Sequence, residues 1–323
     1  MRKNLVWRTA IISLLVMLSG FLVACAATTS QDDGDISERK VRVVTTIGMI
    51  GDVAKNIGGD RVEVVSLMGP GVDPHLYKAS EGDVGRLQEA DIIFYCGLHL
   101  EAGMADVLER MAEGEIAVTV AVCEQLEENL LISSEDFGGS HDPHIWFDVN
   151  LWKIAARATL GSLNDLDPNH VEAYQANADS YMAMLDELET YVRTEIERVA
   201  PEQRVLVTAH DAFGYFGKAY GFEVLGLQGI STESEASTND VQELADFIAE
   251  QQISAIFIES SVPRRTIEAV QAAVQARGFD VQIGGELFSD AMGDPDTVEG
   301  TYEGMVRHNV DTIVGALLGE VSE

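Results

Sequence analysis

Residues 167–201, DPNHVEAYQANADSYMAMLDELETYVRTEIERVAP, contain no glycine, and their prolines stand only at the second and last positions. Tyr174, Tyr181, Leu185, Leu188 and Val192 recur at mostly three- and four-residue steps, the spacing that aligns one face of an α-helix. The pattern predicts a single helix over 167–200, about 30 residues and roughly 45 Å long at 1.5 Å per residue. That is well beyond the usual globular helix. A rod of this length is long enough to span two lobes, so the segments on either side must be arranged about it.

Both flanks alternate between short apolar runs and helical stretches. Before the rod, KVRVVTTI, RVEVVSLM, DIIFYCG and EIAVTVAV read as strands, and GMIGDVAKNIGG and SEGDVGRLQEA as helices, the second with Ser80 and Asp83 in capping-box spacing. After it, RVLVTA, FEVLGL, AIFIES and VQIGG read as strands, with helices expected at 211–220, 238–252, 263–277 and 297–318. Fully apolar strands separated by helices indicate parallel sheets covered on both faces. The expected fold is α/β, with two lobes (41–166 and 201–323) that each carry a mostly parallel central sheet flanked by helices, bridged by one long rigid helix. No clear sequence repeat relates the two lobes.

The first 24 residues stand outside this plan. Arg2, Lys3 and Arg8 precede the apolar run TAIISLLVMLSGFLVA, the layout of an export signal. The run ends on LVAC, which resembles a bacterial lipobox and implies cleavage before Cys25 and a lipid on its sulfur. Two acyl chains anchor a protein stably where one does not. Residues 25–40, polar and aperiodic, read as a flexible tether. The folded part is therefore expected outside the cytoplasmic membrane, in the periplasm or on the outer membrane face. The whole chain carries 54 acidic against 21 basic residues, a net charge of −33. Removing the three basic residues of the signal takes this to −36. Such a balance excludes nucleic acid as a partner, because phosphate binding needs clustered Lys and Arg, and it suits attraction of cations. Cys96 and Cys123 each follow an apolar run. They could pair, but cysteine is often simply buried, and two free buried thiols are expected.

In parallel α/β sheets, ligands gather beyond the carboxyl ends of strands. Four residues hold such positions: His75 in GVDPHLYKAS, His144 in SHDPHIWFDV, His210 after RVLVTA, and Asp290 in GGELFSDAMGD. Two come from each lobe, so all four can meet in the cleft between them. Imidazole suits zinc and other late first-row ions, and a carboxylate adds charge compensation. Three His and one Asp make a four- or five-coordinate site. The proline before His75 and before His144 stiffens each loop.

The stretches GVDPHLYKAS, DPHIWFDVNLW, RVLVTAHDAFGYFGKAYGFEV, QGISTESEAST, AIFIESSVP and GGELFSDAMG together resemble the cluster A-I, or zinc/manganese, family of solute-binding lipoproteins of ABC importers. The resemblance runs from about residue 41 to the end. It implies metal ligation by His75, His144, His210 and Asp290, one Zn2+ or Mn2+ ion per chain carried as cargo, and delivery to a membrane permease by a lipid-anchored monomer. Manganese-dedicated members tend to carry a carboxylate at the third position, where this chain has His210, and that shifts the preference toward zinc.

Other residues carry weaker expectations. His141 could be an auxiliary ligand, His99 could act from just outside the site, and Glu259 could accept a hydrogen bond from a ligand imidazole, with Glu235 a lesser candidate. His170 is expected to be exposed, His308 structural, and Trp146, Phe147 and Trp152 to serve packing. An extracytoplasmic zinc hydrolase is the competing reading, but neither an H-E-x-x-H motif nor a nucleophile elbow is present. No separate feature encodes a surface adhesin.

Overall fold

The computed structural model describes residues 36–114, 116–133 and 139–320. The expected signal peptide, Cys25 as the expected lipid attachment point, and most of the expected tether lie outside the described residues. From Lys40 onward the chain forms one unit.

The first lobe is built on four parallel strands, β1 (Val41–Thr45), β2 (Val62–Ser66), β3 (Ile92–Tyr95) and β4 (Val118–Ala121), in the spatial order β2-β1-β3-β4. Strands β1 and β3 hold the centre, and Val41, Val43, Ile92, Ile93 and Phe94 are almost fully buried, as expected for strands covered on both faces. The covering helices of this lobe are α1 (Gly48–Gly58), α2 (Glu81–Glu89) and α3 (Ala105–Glu113). Helix α2 starts with the expected capping box: Ser80 Oγ accepts from Asp83 N, and the Asp83 carboxylate accepts from Ser80 N.

Cys96 and Cys123 form a disulfide, with their Cα atoms 4.8 Å apart, which corrects the expectation of two free thiols. Strands β3 and β4 are neighbours in parallel register, Tyr95 opposite Ala121. Their continuations therefore leave the sheet side by side, and the Cys123 amide donates to Cys96 O at 3.0 Å. The bond closes a loop of 27 residues. By chain entropy, replacing both cysteines with alanine is expected to lower the unfolding free energy by about 3–4 kcal/mol. Urea denaturation of the double variant beside the parent measures this, and coincident midpoints would rule the stabilisation out.

Helix α4 (Val149–Leu166), capped by the Asp148 carboxylate, turns at Asp167 into the long helix α5 (Val171–Ile196). The two run antiparallel, with Lys153 bound to Asp186 at 2.5 Å and Asn150 to Glu189 at 2.9 Å. Helix α5 has 26 residues, so it spans about 39 Å. It is shorter than expected because Pro168–His170 forms a separate 3-10 turn. The buried Asp167 holds that turn, accepting from Arg61 Nη2 at 2.8 Å, Tyr174 Oη at 2.8 Å and His170 Nδ1 at 2.9 Å. His170 is thereby half-buried and paired, not exposed. The buried stripe of Tyr174, Tyr181, Leu185, Leu188 and Val192 is the one read from the sequence.

The second lobe contains β5 (Val205–His210) paired with β6 (Glu223–Gln228), and β7 (Ala255–Glu259) paired with β8 (Gln282–Leu287), all parallel within their pairs. Strand β5 packs beside β7. Helices α6 (Gly214–Tyr220), α7 (Thr238–Gln251), α8 (Arg265–Gln275) and α9 (Tyr302–Leu318) flank them. Val207, Ile256, Ile258, Ile267 and Val270 form part of the core.

Helix α5 touches both lobes. Near its start Asn177 donates to Ile57 O at 3.0 Å and Tyr181 to Asp52 Oδ2 at 3.4 Å, both on α1. Near its end Tyr220 donates to Glu189 Oε2 at 2.7 Å, and Tyr191 bonds to Asp311 on α9.

Candidate metal centre

Each candidate ligand is aimed by its own local structure. His75 lies in the loop after β2, where Asp73 Oδ1 accepts its backbone N–H at 2.9 Å. His144 repeats the device: Asp142 Oδ1 accepts its backbone N–H at 2.9 Å. An aspartate two residues ahead is the side chain suited to such a turn. His210 is the last residue of β5, and Asp290 stands three residues past the end of β8. Gly226 on β6 makes room for the turn after His210, since a Cβ there would lie 2.3 Å from Asp211 N and 2.6 Å from His210 C.

The four side chains meet. Each of His75, His144, His210 and Asp290 offers one donor atom, and all four atoms lie within 4.8 Å of one another. His144 Nε2 is 3.3 Å from Asp290 Oδ1, His210 Nε2 is 3.3 Å from Asp290 Oδ2, and His75 Nε2 is 3.8 Å from Asp290 Oδ2. His75 Nε2 and His144 Nε2 are 3.4 Å apart. None of the four residues is more than 2% exposed.

Two of the rings are held from behind. Asp142 Oδ1 binds His144 Nδ1 at 2.7 Å. Glu259, at the end of β7, accepts the His210 backbone N–H at 2.8 Å through Oε1 and binds His210 Nδ1 at 2.5 Å through Oε2. A carboxylate on Nδ1 places the imidazole proton there and turns Nε2 inward as the donor atom. Among the described residues, His75 Nδ1, His210 Nε2 and both Asp290 carboxylate oxygens, all of them buried, have no hydrogen-bond partner. Buried polar atoms are ordinarily satisfied. A divalent cation among these four donors would satisfy His210 Nε2 and Asp290, and three nitrogens with a carboxylate are a zinc-type set.

The electrostatics favour a cation too. Burial opposes charge on His144, but the Asp142 and Asp290 carboxylates raise its pKa to about 9. Burial likewise opposes charge on His210, which Glu259 and Asp290 hold well above the ordinary imidazole value. Burial would raise Asp290, yet His210 and His144 hold it well below the usual carboxylate range. Burial, with the neighbouring imidazoles, takes His75 down to about 3. The two carboxylate-backed rings thus favour positive charge at this point, as a bound cation would supply.

The other candidates fall elsewhere. His99 and His141 line an open cleft of about 510 Å³ that reaches His75, outside the four-residue cluster. Glu259 takes the supporting role expected of it. Glu235 lines a neighbouring groove with Asp73 and Thr232. His308 bonds Glu286 O at 2.9 Å. Trp146 packs edge-on to the His144 ring at 5.2 Å and donates to Ser289 O at 3.0 Å. Phe147 stacks on Phe213, and Trp152 on Tyr302. Asp142 was not singled out in the sequence, although the echo of Asp73-Pro-His75 in Asp142-Pro-His144 was its signal.

The sequence and the fold both match known proteins. Residues 43–316 match the family described as zinc-uptake complex component A, periplasmic. The chain is 52% identical to the zinc-binding protein TroA of Treponema pallidum (strain Nichols) over 308 residues, covering 95% of this chain and 97% of that one. It is 49% identical to the manganese-binding lipoprotein MntA of Bacillus subtilis (strain 168) over 284 residues, 88% of this chain and 92% of the other. The solved structure of the Treponema pallidum periplasmic zinc-binding protein superposes with a TM-score of 0.84 at 55% identity, covering 86% of this chain and 99% of that one.

Proposed function

Because this chain belongs to the family of the periplasmic zinc-uptake component A, we propose that it captures one zinc or manganese ion outside the cytoplasmic membrane and passes it to the permease of an ABC importer. His75, His144, His210 and Asp290 are the ligands in this reading. The observation that carries it is the convergence of four buried donors between the two lobes, two of them, His210 Nε2 and the Asp290 carboxylate, with no hydrogen-bond partner among the described residues. A lipid on Cys25 holds the protein, as a monomer, to the membrane; the lipobox-like LVAC at the end of the apolar leader supports this. Among the described residues, no helix is long and apolar enough to cross a membrane.

Four protein donors fill a tetrahedral shell. A catalytic zinc site keeps three protein ligands and an open position for water, so the donor count favours a carrier over a hydrolase. Relatives are named for zinc and for manganese. Three imidazoles here favour zinc on intrinsic affinity. Equilibrium dialysis of the mature protein is expected to give one tightly held divalent ion per chain, zinc at least as tightly as manganese. No bound ion, or several weak sites, would overturn the reading.

A further inference from the structure

The two Asp-Pro-His loops of the first lobe are tied to the second lobe very differently. The loop of His144 is fastened at several buried points. Tyr215 donates to Asp142 O at 2.9 Å, Tyr302 donates to Trp146 O at 2.7 Å, and Trp146 donates to Ser289 O at 3.0 Å. The loop of His75 has a single hydrogen bond to the second lobe among the described residues. Thr232 Oγ1 donates to Asp73 Oδ2 at 2.6 Å. The other oxygen of the same carboxylate, Oδ1, accepts the His75 backbone N–H. Asp73 thus couples the second lobe directly to the peptide that carries His75.

Thr232 is 7% exposed and belongs to the loop that follows β6. The adjoining residues Gly229, Ile230 and Ser231 form one wall of the cleft that reaches His75. His75 itself has no partner on Nδ1, whereas His144 and His210 are each held there by a carboxylate. Among the described residues no hydrogen bond behind the ring fixes its orientation, so the placement of this ligand depends more on its loop.

We infer that Thr232 is a positioning residue for metal retention: its hydroxyl latches Asp73 across the cleft, and the latch holds the His75 arm closed over the ion. This rests on the reading of the four residues as a metal site. Separation of the lobes on the His75 side must break this one bond, while the His144 side stays fastened. Thr232 therefore acts mainly on the rate at which the ion leaves.

The test uses Thr232→Val, which keeps the shape and removes the donor, and Thr232→Ser, which restores it. Each zinc-loaded protein is mixed with excess chelator and the release rate is followed by stopped flow. A lost hydrogen bond to a charged acceptor is expected to speed release by about tenfold or more in the Val variant, with the Ser variant close to the parent. The Val variant should still bind one ion per chain with an association rate close to the parent's, so that the loss falls on release, which separates a latch from a merely structural contact. Asp73→Asn combined with Thr232→Val should be less than additive, because both break the same bond. If the Val variant does not fold, Thr232→Ala replaces it with the same expected acceleration. Release at the parent's rate from the folded variant would overturn the latch and leave the metal site standing. Absence of zinc binding by the parent would overturn the metal reading itself.

Discussion

Replacing Asp290 with alanine is expected to weaken zinc binding by more than 100-fold. Loss of an outer hydrogen-bond partner of a metal ligand commonly costs 10- to 100-fold, and Asp290 supplies the one anionic donor of the set. Without it, a doubly charged ion would lie among three imidazoles in a site that excludes water, and an uncompensated buried charge is costly. Competition against a chelator of known affinity measures the change. The thermal midpoint gives a second reading, because an ion present at a thousand times its dissociation constant stabilises the folded state by about 4 kcal/mol. That gain should vanish in the variant. Glu259→Gln is the calibrating contrast: it leaves the four donors in place but loosens the hold on His210, so its loss should stay within the outer-partner range. An Asp290 variant with less than threefold loss would remove this residue from the ligand set.

Zinc affinity is expected to climb steeply with pH through neutrality and to keep climbing toward pH 9. The ordinary imidazole titrates near 6.5, and a site of ordinary histidines would level off soon above that. Here carboxylates raise His144 to about 9 and His210 well above its ordinary value. Both rings therefore hold a proton more tightly than an ordinary imidazole does, and the ion competes with protons at each inward Nε2. The sign follows: raising the pH removes the competing protons and strengthens binding, while lowering it weakens binding. His75, lowered to about 3, has no proton to lose. More protons should leave per ion at pH 7 than from a site of ordinary histidines, and log affinity should still be rising between pH 7 and 8. Isothermal calorimetry in buffers of differing ionisation heat counts the protons directly. Zero release, or an affinity that levels off at pH 7, would show that the carboxylates do not hold these rings protonated.

Much of the molecule is legible in the linear chain because it is dictated locally. The helical stripe from Tyr174 to Val192, the capping box at Ser80 and the apolar strands depend on residues a few positions apart. The four ligand candidates share that legibility for a related reason: parallel strands deliver their carboxyl ends to one edge, so strand position already says where His210 and Asp290 point.

What the chain alone could not decide depends on segments that meet only after folding. Cys96 and Cys123 bond because β3 and β4 become neighbours in register; with another strand order they would have stayed apart. The proton affinity of His144 and His210 is set by Asp142, Glu259 and Asp290 in a buried site, and Glu259 stands 49 residues from His210. Asp73 meets Thr232 across 159 residues. Residue types and spacing fix which atoms can bind a cation. Burial and long-range hydrogen bonds decide how strongly those atoms hold a proton or an ion, since both scale with the water that the closed tertiary structure excludes.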